Sequence, residues 1–377
     1  MRYVALDLGA KKTSYCEVAG GRVVQRATVA SVDSLQSLLG QEQPSATVAI
    51  EACREAWHVH DLLTSWGNEV VLVDTTRSKR LGIGQHGRKT DRIDAEVLAR
   101  ALERGGIPVA HVLSPHRREL RRWLGVRRAL VESRAQLVTM ARGLARERGV
   151  RLRSGRTDYF TIAVRKQRLD EQTLALLEPL LKLLDSIATE LVGVEAELSK
   201  LCASEPIVTL LATAPGVGSI VAASFVSVID EAKRFRSAHH VESYVGLVPS
   251  EDTTGGKRRV GAISKEGNSY LRALLVQAAW SVLRTSDRHD PLRLWAEAVS
   301  ARRGKRIAVV ALARRLVGIL WAMWRDGTVY DASALAAGNS RGVRRTQTLE
   351  LQTEALKRAT TKRSMQRLAV QEVATTL

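Results

Sequence analysis

Four carboxylates stand at positions that suit a metal-dependent site. Asp7 ends the apolar segment VALDLG, and Glu51 ends a second apolar segment, TVAIE. A carboxylate at the end of an otherwise buried strand is costly unless it is paired or binds a metal. Asp91 and Asp94 are three residues apart in TDRIDAEVLA, so a helix would place both on one face.

Together these acids can supply hard oxygen ligands for one or two Mg²⁺ ions, with Mn²⁺ as an alternative ion. Two such ions stabilise the attacking and the leaving oxygen of a phosphoryl transfer. The spacing therefore predicts a phosphoryl-transfer site. Each acid also has an ordinary interpretation as a turn or cap residue, and Asp91 suits the first turn of a helix.

A second candidate site lies in a basic, glycine-rich stretch, residues 245–280. It contains the sequence Thr253-Thr254-Gly255-Gly256, and its cations are Lys257, Arg258, Arg259, Lys265 and Arg272. A nucleophile that attacks phosphate needs a hydroxyl, room for close approach and positive charge that neutralises the developing charge. The stretch fits either a catalytic hydroxyl or a loop that only binds phosphate.

The composition favours a polyanionic partner. The 377-residue chain has a formal net charge of +19 and a sequence pI near 10.4, and such values are typical of nucleic-acid binding. Aromatic residues make up only 4%, which argues against base stacking as the main binding mode. We find no apolar run of about 18 residues, no signal peptide and no disulfide or zinc pattern among the three cysteines. These features predict a cytoplasmic protein without a membrane partner.

Two further segments are candidates for contact with nucleic acid. Residues 116–128 are dense in arginine at helical spacing, and some of these side chains could follow a phosphate backbone: Arg117, Arg118, Arg121, Arg122, Arg127 and Arg128. Some could equally form only a solvated helix face. Residues 210–223 place Gly216 and Gly218 between two helical stretches, as in a helix-hairpin-helix element that binds phosphate through backbone N–H groups. A plain connection with glycine caps is the alternative.

The order of elements must position these groups. In residues 1–110 we predict strands at 2–8, 13–18, 22–29, 46–50 and 69–73, with helices near 32–40, 54–66 and 91–104. A meander followed by alternating α and β elements is the order of a ribonuclease-H-like α/β fold, although several mixed folds share it.

The rest of the chain is predicted to be mainly helical. Residues 111–204 form a helical region, whose apolar residues from Leu177 to Leu201 repeat at spacings of three and four. That seam fits a coiled coil or an internal helical hairpin, and Pro179 would begin or kink its helix. Residues 205–330 form a second, mainly α region, and 331–377 form a polar tail.

Several segments closely resemble the DEDD-type insertion-sequence transposases, whose recombinase is guided by a noncoding RNA from the element itself. They lie in the same order over roughly residues 1–325: ALDLGAKKTSYCEV, VAIEACREAWHVHDLL, KTDRIDAEVLA, APGVGSIVAASFVSVID, FRSAHHVESYVGLVPSE and GGKRRVGAISKEGNSYLRALL.

The resemblance implies a RuvC-like domain in which Asp7, Glu51, Asp91 and Asp94 hold Mg²⁺. It implies a coiled coil that pairs protomers, with dimers assembling into a tetramer. The second catalytic domain would complete a composite site and form a covalent protein–DNA phosphoester. The partners would be double-stranded donor and target DNA and an element-encoded guide RNA, in the bacterial cytoplasm at the nucleoid.

One position departs from the family pattern. The family commonly has a serine before Gly-Gly-Lys, whereas Thr253 stands at the matching position here. Threonine carries the same hydroxyl but is β-branched and stiff at χ1. The nucleophile could instead be Thr254 or Ser250, or this copy could be impaired. Two other functions therefore stay open: a junction-resolving nuclease that uses water, and a nucleic-acid-binding relative without catalysis.

Overall fold

The computed structural model describes residues 1–9, 11–80, 91–153, 155, 159–254, 257–333 and 343–344. The side chains of residues 76, 79–80, 91–93, 252–254, 257–260 and 343–344 lie outside that description. The chain divides into two compact units, Met1–Leu113 and Ser114–Leu377.

The first unit is built on a five-stranded mixed sheet in the order β3-β2-β1-β4-β5. Strands β1 to β3 form an antiparallel meander, and β4 and β5 extend the sheet on the other side of β1 in parallel. The strands are β1 Arg2–Leu8, β2 Thr13–Ala19, β3 Arg22–Val29, β4 Ala46–Glu51 and β5 Glu69–Val73. The helices are α1 Gln36–Leu39, α2 Ala56–Ser65, α3 Thr75–Arg80 and α4 Asp91–Glu103, with a 3₁₀ turn at Asp33–Leu35.

Alternation along the strands produces two cores, one on each face of the sheet. Successive strand residues point to opposite faces, so Val4, Leu6, Val48 and Ile50 pack with α2 on one side. On the opposite side Ala5, Ala49 and Val73 pack against α4 through Ala95, Leu98 and Ala99. The small alanines of β1 and β4 let α4 lie close to this face.

The predicted α/β class and the predicted strands agree with this unit. The helix expected near 32–40 is only a 3₁₀ turn followed by the one-turn α1. Its short length reflects Gly40, whose extended backbone ends α1. A relation to the RuvC-like fold remains a prediction.

The second unit is mainly helical, as predicted. Its helices are α5 Pro115–Glu147, α6 Phe160–Arg165, α7 Glu171–Ala203, α8 Pro206–Leu211, α9 Ser219–Ile229, α10 Ala238–Val245, α11 Ser269–Thr285, α12 Pro291–Arg303 and α13 Lys305–Asp326. A hairpin, β6 Pro249–Thr254 and β7 Lys257–Ile263, and a short pair, β8 Val329–Tyr330 and β9 Val343–Arg344, complete it.

Helices α5 and α7 form an internal helical hairpin. Most positions of the predicted seam are buried on α7, although Leu181 is buried where the seam had Leu180. Helix α7 begins at Glu171, where the Asp170 side chain accepts a hydrogen bond from the Thr173 N–H, so Pro179 lies inside the helix and does not begin it. This packing within one chain explains the apolar repeat. A coiled coil between protomers remains a prediction.

Helix α13 is the central helix of the second core. Leu312, Leu316, Leu320 and Trp321 are fully or almost fully buried along it. It is the one described helix long and apolar enough to cross a membrane, so the expectation that no segment meets this criterion is wrong. Because 67% of its most apolar window is buried inside the unit, α13 is explained as a core helix. The predicted tail lies outside the described residues, except for 331–333 and β9.

Candidate functional site

Two of the predicted acids lie side by side at one end of the sheet of the first unit. In the parallel pairing of β1 with β4, Leu6 lies opposite Ile50, so Asp7 and Glu51 occupy the next position on each strand. Both follow the alternation of Ala5 and Ala49, and so they point to the face that α4 covers. Both side chains are partly buried.

The course of α4 is fixed by contacts at its C-terminal half. The Gly21 N–H, in the turn between β2 and β3, donates to the Glu103 carboxylate at 3.1 Å, and Arg100 Nη1 donates to the Gly21 carbonyl at 2.7 Å. Glu96 forms an ion pair with Arg26 of β3. Gly21 lies at the edge where β1 begins, so α4 runs antiparallel to β1.

This direction carries the N-terminus of α4 to the end of β1 that holds Asp7. Arg26 is opposite Cys16 in the sheet, and Cys16 is opposite Ala5. Because Glu96 pairs with Arg26, Glu96 lies at about the same height along β1 as Ala5. Asp91 precedes Glu96 by five residues on α4, which is about 7.5 Å along the helix axis at about 1.5 Å per residue. Asp7 is two residues beyond Ala5, about 6.6 Å at 3.3 Å per residue. The start of α4 therefore reaches the level of Asp7.

Both helix acids belong to the stripe of α4 that faces the sheet. Asp91 precedes the buried Ala95 by one turn, and Asp94 precedes the buried Leu98 by one turn. The side chain of Asp94 is partly buried, whereas that of Asp91 lies outside the described residues. Within the described side chains, no three acids, histidines or cysteines are close enough to hold a metal ion. The backbone thus brings the four acids to one end of the unit, and the described side chains of Asp7, Glu51 and Asp94 do not form a closed cluster.

The turn after Asp7 requires a glycine. The Gly9 N–H donates to the Lys12 carbonyl at 3.0 Å, and a Cβ on Gly9 would lie 2.7 Å from that same oxygen. This close return sets where β1 ends. It therefore also sets the position of Asp7 relative to β2.

A buried acid that the sequence analysis did not single out lies on the other face of the same sheet. Glu17 accepts hydrogen bonds from Arg2 Nε at 2.9 Å, Arg2 Nη2 at 3.0 Å and the Tyr15 hydroxyl at 2.6 Å. The Arg2 guanidinium holds the pKa of Glu17 below its usual value, and burial raises the pKa of Tyr15. Arg2 also donates to the carbonyls of Leu38 and Pro44. This network has a structural role, because Arg2 and Tyr15 satisfy the buried Glu17 carboxylate without a metal ion.

The hydroxyl residues of the second unit lie on the hairpin β6–β7. Thr253 pairs with Arg258 and Thr254 with Lys257, so both threonines face cationic residues across the ladder next to the tip. Their side chains, and those of Lys257, Arg258 and Arg259, lie outside the described residues. The Ser250 hydroxyl donates to the Ala262 carbonyl at 3.0 Å, so Ser250 already has a structural bond across the hairpin.

The base of this hairpin depends on two glycines and an arginine. Gly246, at φ +75°, lies so close to Glu266 that a Cβ would be 2.1 Å from its carbonyl oxygen. Gly267 approaches the Tyr244 carbonyl in the same way. Arg272, predicted to contact nucleic acid, instead donates to the carbonyls of Val245, at 3.1 Å, and Glu266. It is therefore a positioning residue for the hairpin, while Lys265 is exposed.

The structure shows structural roles for three of the arginines on α5. Arg118 is only 4% exposed, and Arg117 pairs with Glu205 at 2.7 Å and stacks on Trp324. Arg127 pairs with Glu195 at 3.0 Å. Arg117 and Arg127 therefore have partners within the unit and Arg118 is buried, and contact of these three with nucleic acid remains a prediction. Arg121 and Arg122 are exposed, and Arg122 pairs with Glu119.

The predicted helix-hairpin-helix segment is a turn between α8 and α9. Gly216 has φ +72°, and a Cβ there would lie 2.4 Å from the Ala278 carbonyl oxygen of α11. The close packing of this turn on α11 is thus sufficient to explain why residue 216 is a glycine. Gly218 is exposed at the N-terminus of α9, and its contact with phosphate remains a prediction.

A strained clip at the start of the second unit also escaped the sequence analysis. Asp230 has φ +63° and ψ −57°, and the Glu231 N–H donates to the Ile229 carbonyl across it, which is the strained form of the γ-turn. Its carboxylate accepts from the Ser114 hydroxyl at 2.9 Å. The clip holds Ser114, the N-cap of α5, against the end of α9. No sequence pattern marks it, because its partners are far apart along the chain.

Comparison with known proteins agrees with this architecture. A model described as a DEDD transposase of the IS110 type matches residues 4–147, which include all four acids. A second, the transposase IS116/IS110/IS902 family, matches residues 208–292, which include the β6–β7 hairpin. A probable family 20 transposase of Pseudomonas aeruginosa is 30% identical over 77% of this chain and 87% of its own length. The chain belongs to the IS110/IS116/IS902 family of transposases.

Other relatives of this transposase come from other bacteria. The transposase for insertion sequence element IS1111A of Coxiella burnetii is 28% identical over 76% of this chain and 80% of its own. The transposase for insertion sequence element IS1328 of Yersinia enterocolitica is 26% identical over 87% of this chain and 98% of its own. The recognition of an insertion-sequence transposase of the DEDD type is thus confirmed. The protein is a DNA transposase enzyme.

Proposed function

We propose that this transposase cuts and rejoins DNA by Mg²⁺-dependent transesterification. The first unit supplies the metal ligands, and the second unit supplies the attacking hydroxyl. The observation that carries the proposal is the antiparallel course of α4, which brings Asp91 and Asp94 to the sheet end that holds Asp7 and Glu51.

The four carboxylates fit a divalent cation by donor type and by placement. Hard oxygen donors are the ligands that Mg²⁺ prefers, and Mn²⁺ accepts the same set. The bound ions would stabilise charge on the attacking and leaving oxygens of the phosphate. The described acids are not gathered into a closed cluster, so the proposal rests on their donor type and on the placement of their backbone.

The proposed nucleophile is the hydroxyl of Thr253. A bond forms between Thr253 Oγ1 and phosphorus while the bond from phosphorus to one deoxyribose oxygen breaks. The threonine proton passes to solvent, and the released deoxyribose oxygen takes up a proton. A deoxyribose hydroxyl of the exchanged strand then attacks the phosphoester and releases Thr253. No water is consumed, so the DNA is resealed.

The cations beside the hydroxyl support this assignment. Lys257 and Arg258 are the cross-strand neighbours of Thr254 and Thr253, and Arg259 follows. Their positive charge suits a phosphate whose negative charge increases as the hydroxyl attacks. Ser250 is a weaker candidate, because its hydroxyl already donates to the Ala262 carbonyl. Thr254 is the nearest alternative.

The partners follow from the family resemblance. We propose that the protein acts in the bacterial cytoplasm at the nucleoid, on double-stranded donor and target DNA. An element-encoded guide RNA would provide the sequence specificity by base pairing. Protomers would pair through the helical hairpin and assemble into a tetramer.

A variant series with a strand-exchange substrate tests the chemistry. Asp7→Asn, Glu51→Gln, Asp91→Asn and Asp94→Asn should each abolish Mg²⁺-dependent cleavage, and Thr253→Ala should abolish it while DNA binding persists. Thr253→Ser should retain or raise activity, because serine keeps the hydroxyl and rotates more freely. Ser250→Ala is the matched control and should remain active.

The two alternatives give different outcomes. A nuclease that uses water would produce free DNA ends with Thr253→Ala still active. A non-catalytic relative would show no cleavage by the unaltered protein, and none of these substitutions would change its biological output. Either result would overturn the proposal.

A further inference from the structure

A run of four cations surrounds the turn between α12 and α13. Arg302 and Arg303 end α12, and Lys305 and Arg306 begin α13, with Gly304 between them at φ +85°. All five residues are exposed. We call residues 302–306 the basic turn. It lies beyond residues 208–292, the part matched by the second family model.

The basic turn is carried by rigid elements. Helix α12 is anchored by the buried Leu292 and Ala296, and α13 by the buried Ala308, Val309 and Leu312. A single residue separates the two helices, so the cations leave the unit at fixed positions. Lys305 is held further, because its ammonium lies 5.4 Å from the ring centroid of Trp280 on α11.

The charge of the basic turn is not compensated by acids within the described part of the chain. Arg303 and Arg306 form no ion pair and no side-chain hydrogen bond there, and Arg302 Nε donates only to the Ala298 carbonyl at 3.4 Å. Some other surface cations of the unit are paired with acids. Arg165 pairs with Glu178 and Asp185, and Lys200 pairs with Glu197.

Crowded like charges without acids repel one another, so the basic turn gains most from a polyanion. Duplex DNA carries one negative charge per about 1.7 Å of helix axis, and a five-residue turn can therefore reach more than one phosphate. DNA is the substrate of a transposase, which favours it over other polyanions. Contacts of this kind fix the register of a protein on DNA without reading the sequence.

We propose that the basic turn is a docking surface for the phosphate backbone of duplex DNA, with Arg303 and Arg306 as its main contacts. Lys305 positions the turn through Trp280. The basic turn follows the hydroxyl hairpin along the chain and contains no hydroxyl residue, so it would contribute to DNA binding and would not supply the attacking group. The proposal rests on DNA as the substrate and is independent of which hydroxyl attacks.

The test is a salt titration of DNA binding by the full chain. It compares Arg303→Ala/Arg306→Ala with Arg165→Ala/Lys200→Ala, which removes the same net charge from residues that acids already pair. Each lost phosphate contact should lower the slope of log K against log salt by about 0.9. The basic-turn variant should therefore lose about 1.8 in slope and bind roughly 30-fold more weakly at 0.15 M salt.

The control variant should keep the slope of the unaltered protein. Thermal unfolding and circular dichroism of both variants establish that they are folded, and Thr253→Ala should keep full binding, which separates this surface from the proposed chemistry. The proposal is overturned if the two charge variants lose affinity equally, if the slope does not change, or if only the affinity for duplex RNA of the same sequence falls.

Discussion

Two glutamates of the same sheet should respond in opposite ways to neutralisation. Glu17→Gln should destabilise the first unit by about 3 kcal/mol, whereas Glu51→Gln should leave its stability unchanged or raise it. The contrast distinguishes Glu17, which stabilises the fold, from Glu51, which we propose binds a cation. Both substitutions change shape very little, so packing is the same in each comparison.

The magnitude follows from the surroundings of each acid. The Glu17 side chain is 8% exposed and its partner Arg2 is 20% exposed. Removing one partner of a buried ion pair costs about 3–5 kcal/mol, and the partial exposure of Arg2 places the loss near the lower end. Glu51 is only partly buried and shares its sheet end with Asp7. The Glu51 side chain forms no ion pair or hydrogen bond with the described residues, so neutralising it removes no stabilising contact there.

The effect of Glu17 should depend on pH in one direction. Its pKa in the folded protein is below the ordinary glutamate value because Arg2 stabilises the carboxylate. A depressed pKa gives a stabilising contribution that is present above the ordinary value and is lost as the pH falls through the folded-state pKa. The difference between the unaltered protein and Glu17→Gln should therefore be complete at pH 7 and shrink only in acid.

Hydrogen exchange measured by mass spectrometry gives the assay, because peptides from β1 and β4 report on the first unit alone. At pH 7, Glu17→Gln should speed the slowest exchange of these peptides roughly 150-fold, which corresponds to about 3 kcal/mol. Glu51→Gln should leave it unchanged or slower. Equal losses in the two variants, or no loss in Glu17→Gln, would refute the division into structural and metal-binding acids.

Three further predictions concern local geometry. Gly246→Ala should reduce strand exchange by about 100-fold, because its Cβ would meet the Glu266 carbonyl and displace the hairpin. Gly143→Ala is the control, because Gly143 lies in open space on α5, and it should stabilise the folded protein by about 0.5–1 kcal/mol. Asp170→Ala should cost about 1 kcal/mol in urea unfolding, since α7 loses its N-cap, and no loss would contradict that role. Burial raises the pKa of Cys202 to about 11. Iodoacetamide at pH 8 should therefore label the exposed Cys53 first and Cys202 only after unfolding. Early labelling of Cys202 would contradict its burial in the folded protein.

The strands and their terminal acids could be predicted because local patterns determine them. Apolar runs that end at Asp7 and Glu51 predict buried strands, and the sheet places those ends together. The course of α4 could not be predicted in the same way. It depends on Gly21, Glu96 and Glu103, whose contacts join residues far apart in the chain.

The arginine run shows a different limit of the sequence. A sequence displays the charges of Arg117 and Arg118 but not their partners, and tertiary packing buries one and pairs the other with Glu205. The basic turn is visible in the sequence as ARRGKR, but a charge run by itself usually indicates only a solvated surface. Its significance depends on the absence of acids around Arg303 and Arg306 in the described residues, which only the fold reveals.

The measurement that tests the central claim most directly is a residue-resolved search for a covalent adduct. The protein is incubated with Mg²⁺, guide RNA and a donor duplex nicked so that rejoining is blocked, then digested and analysed by mass spectrometry. The account predicts a nucleotide esterified to Thr253, absent without Mg²⁺ and absent in Asp7→Asn. Cleaved DNA with free ends and an unmodified hairpin peptide would contradict it.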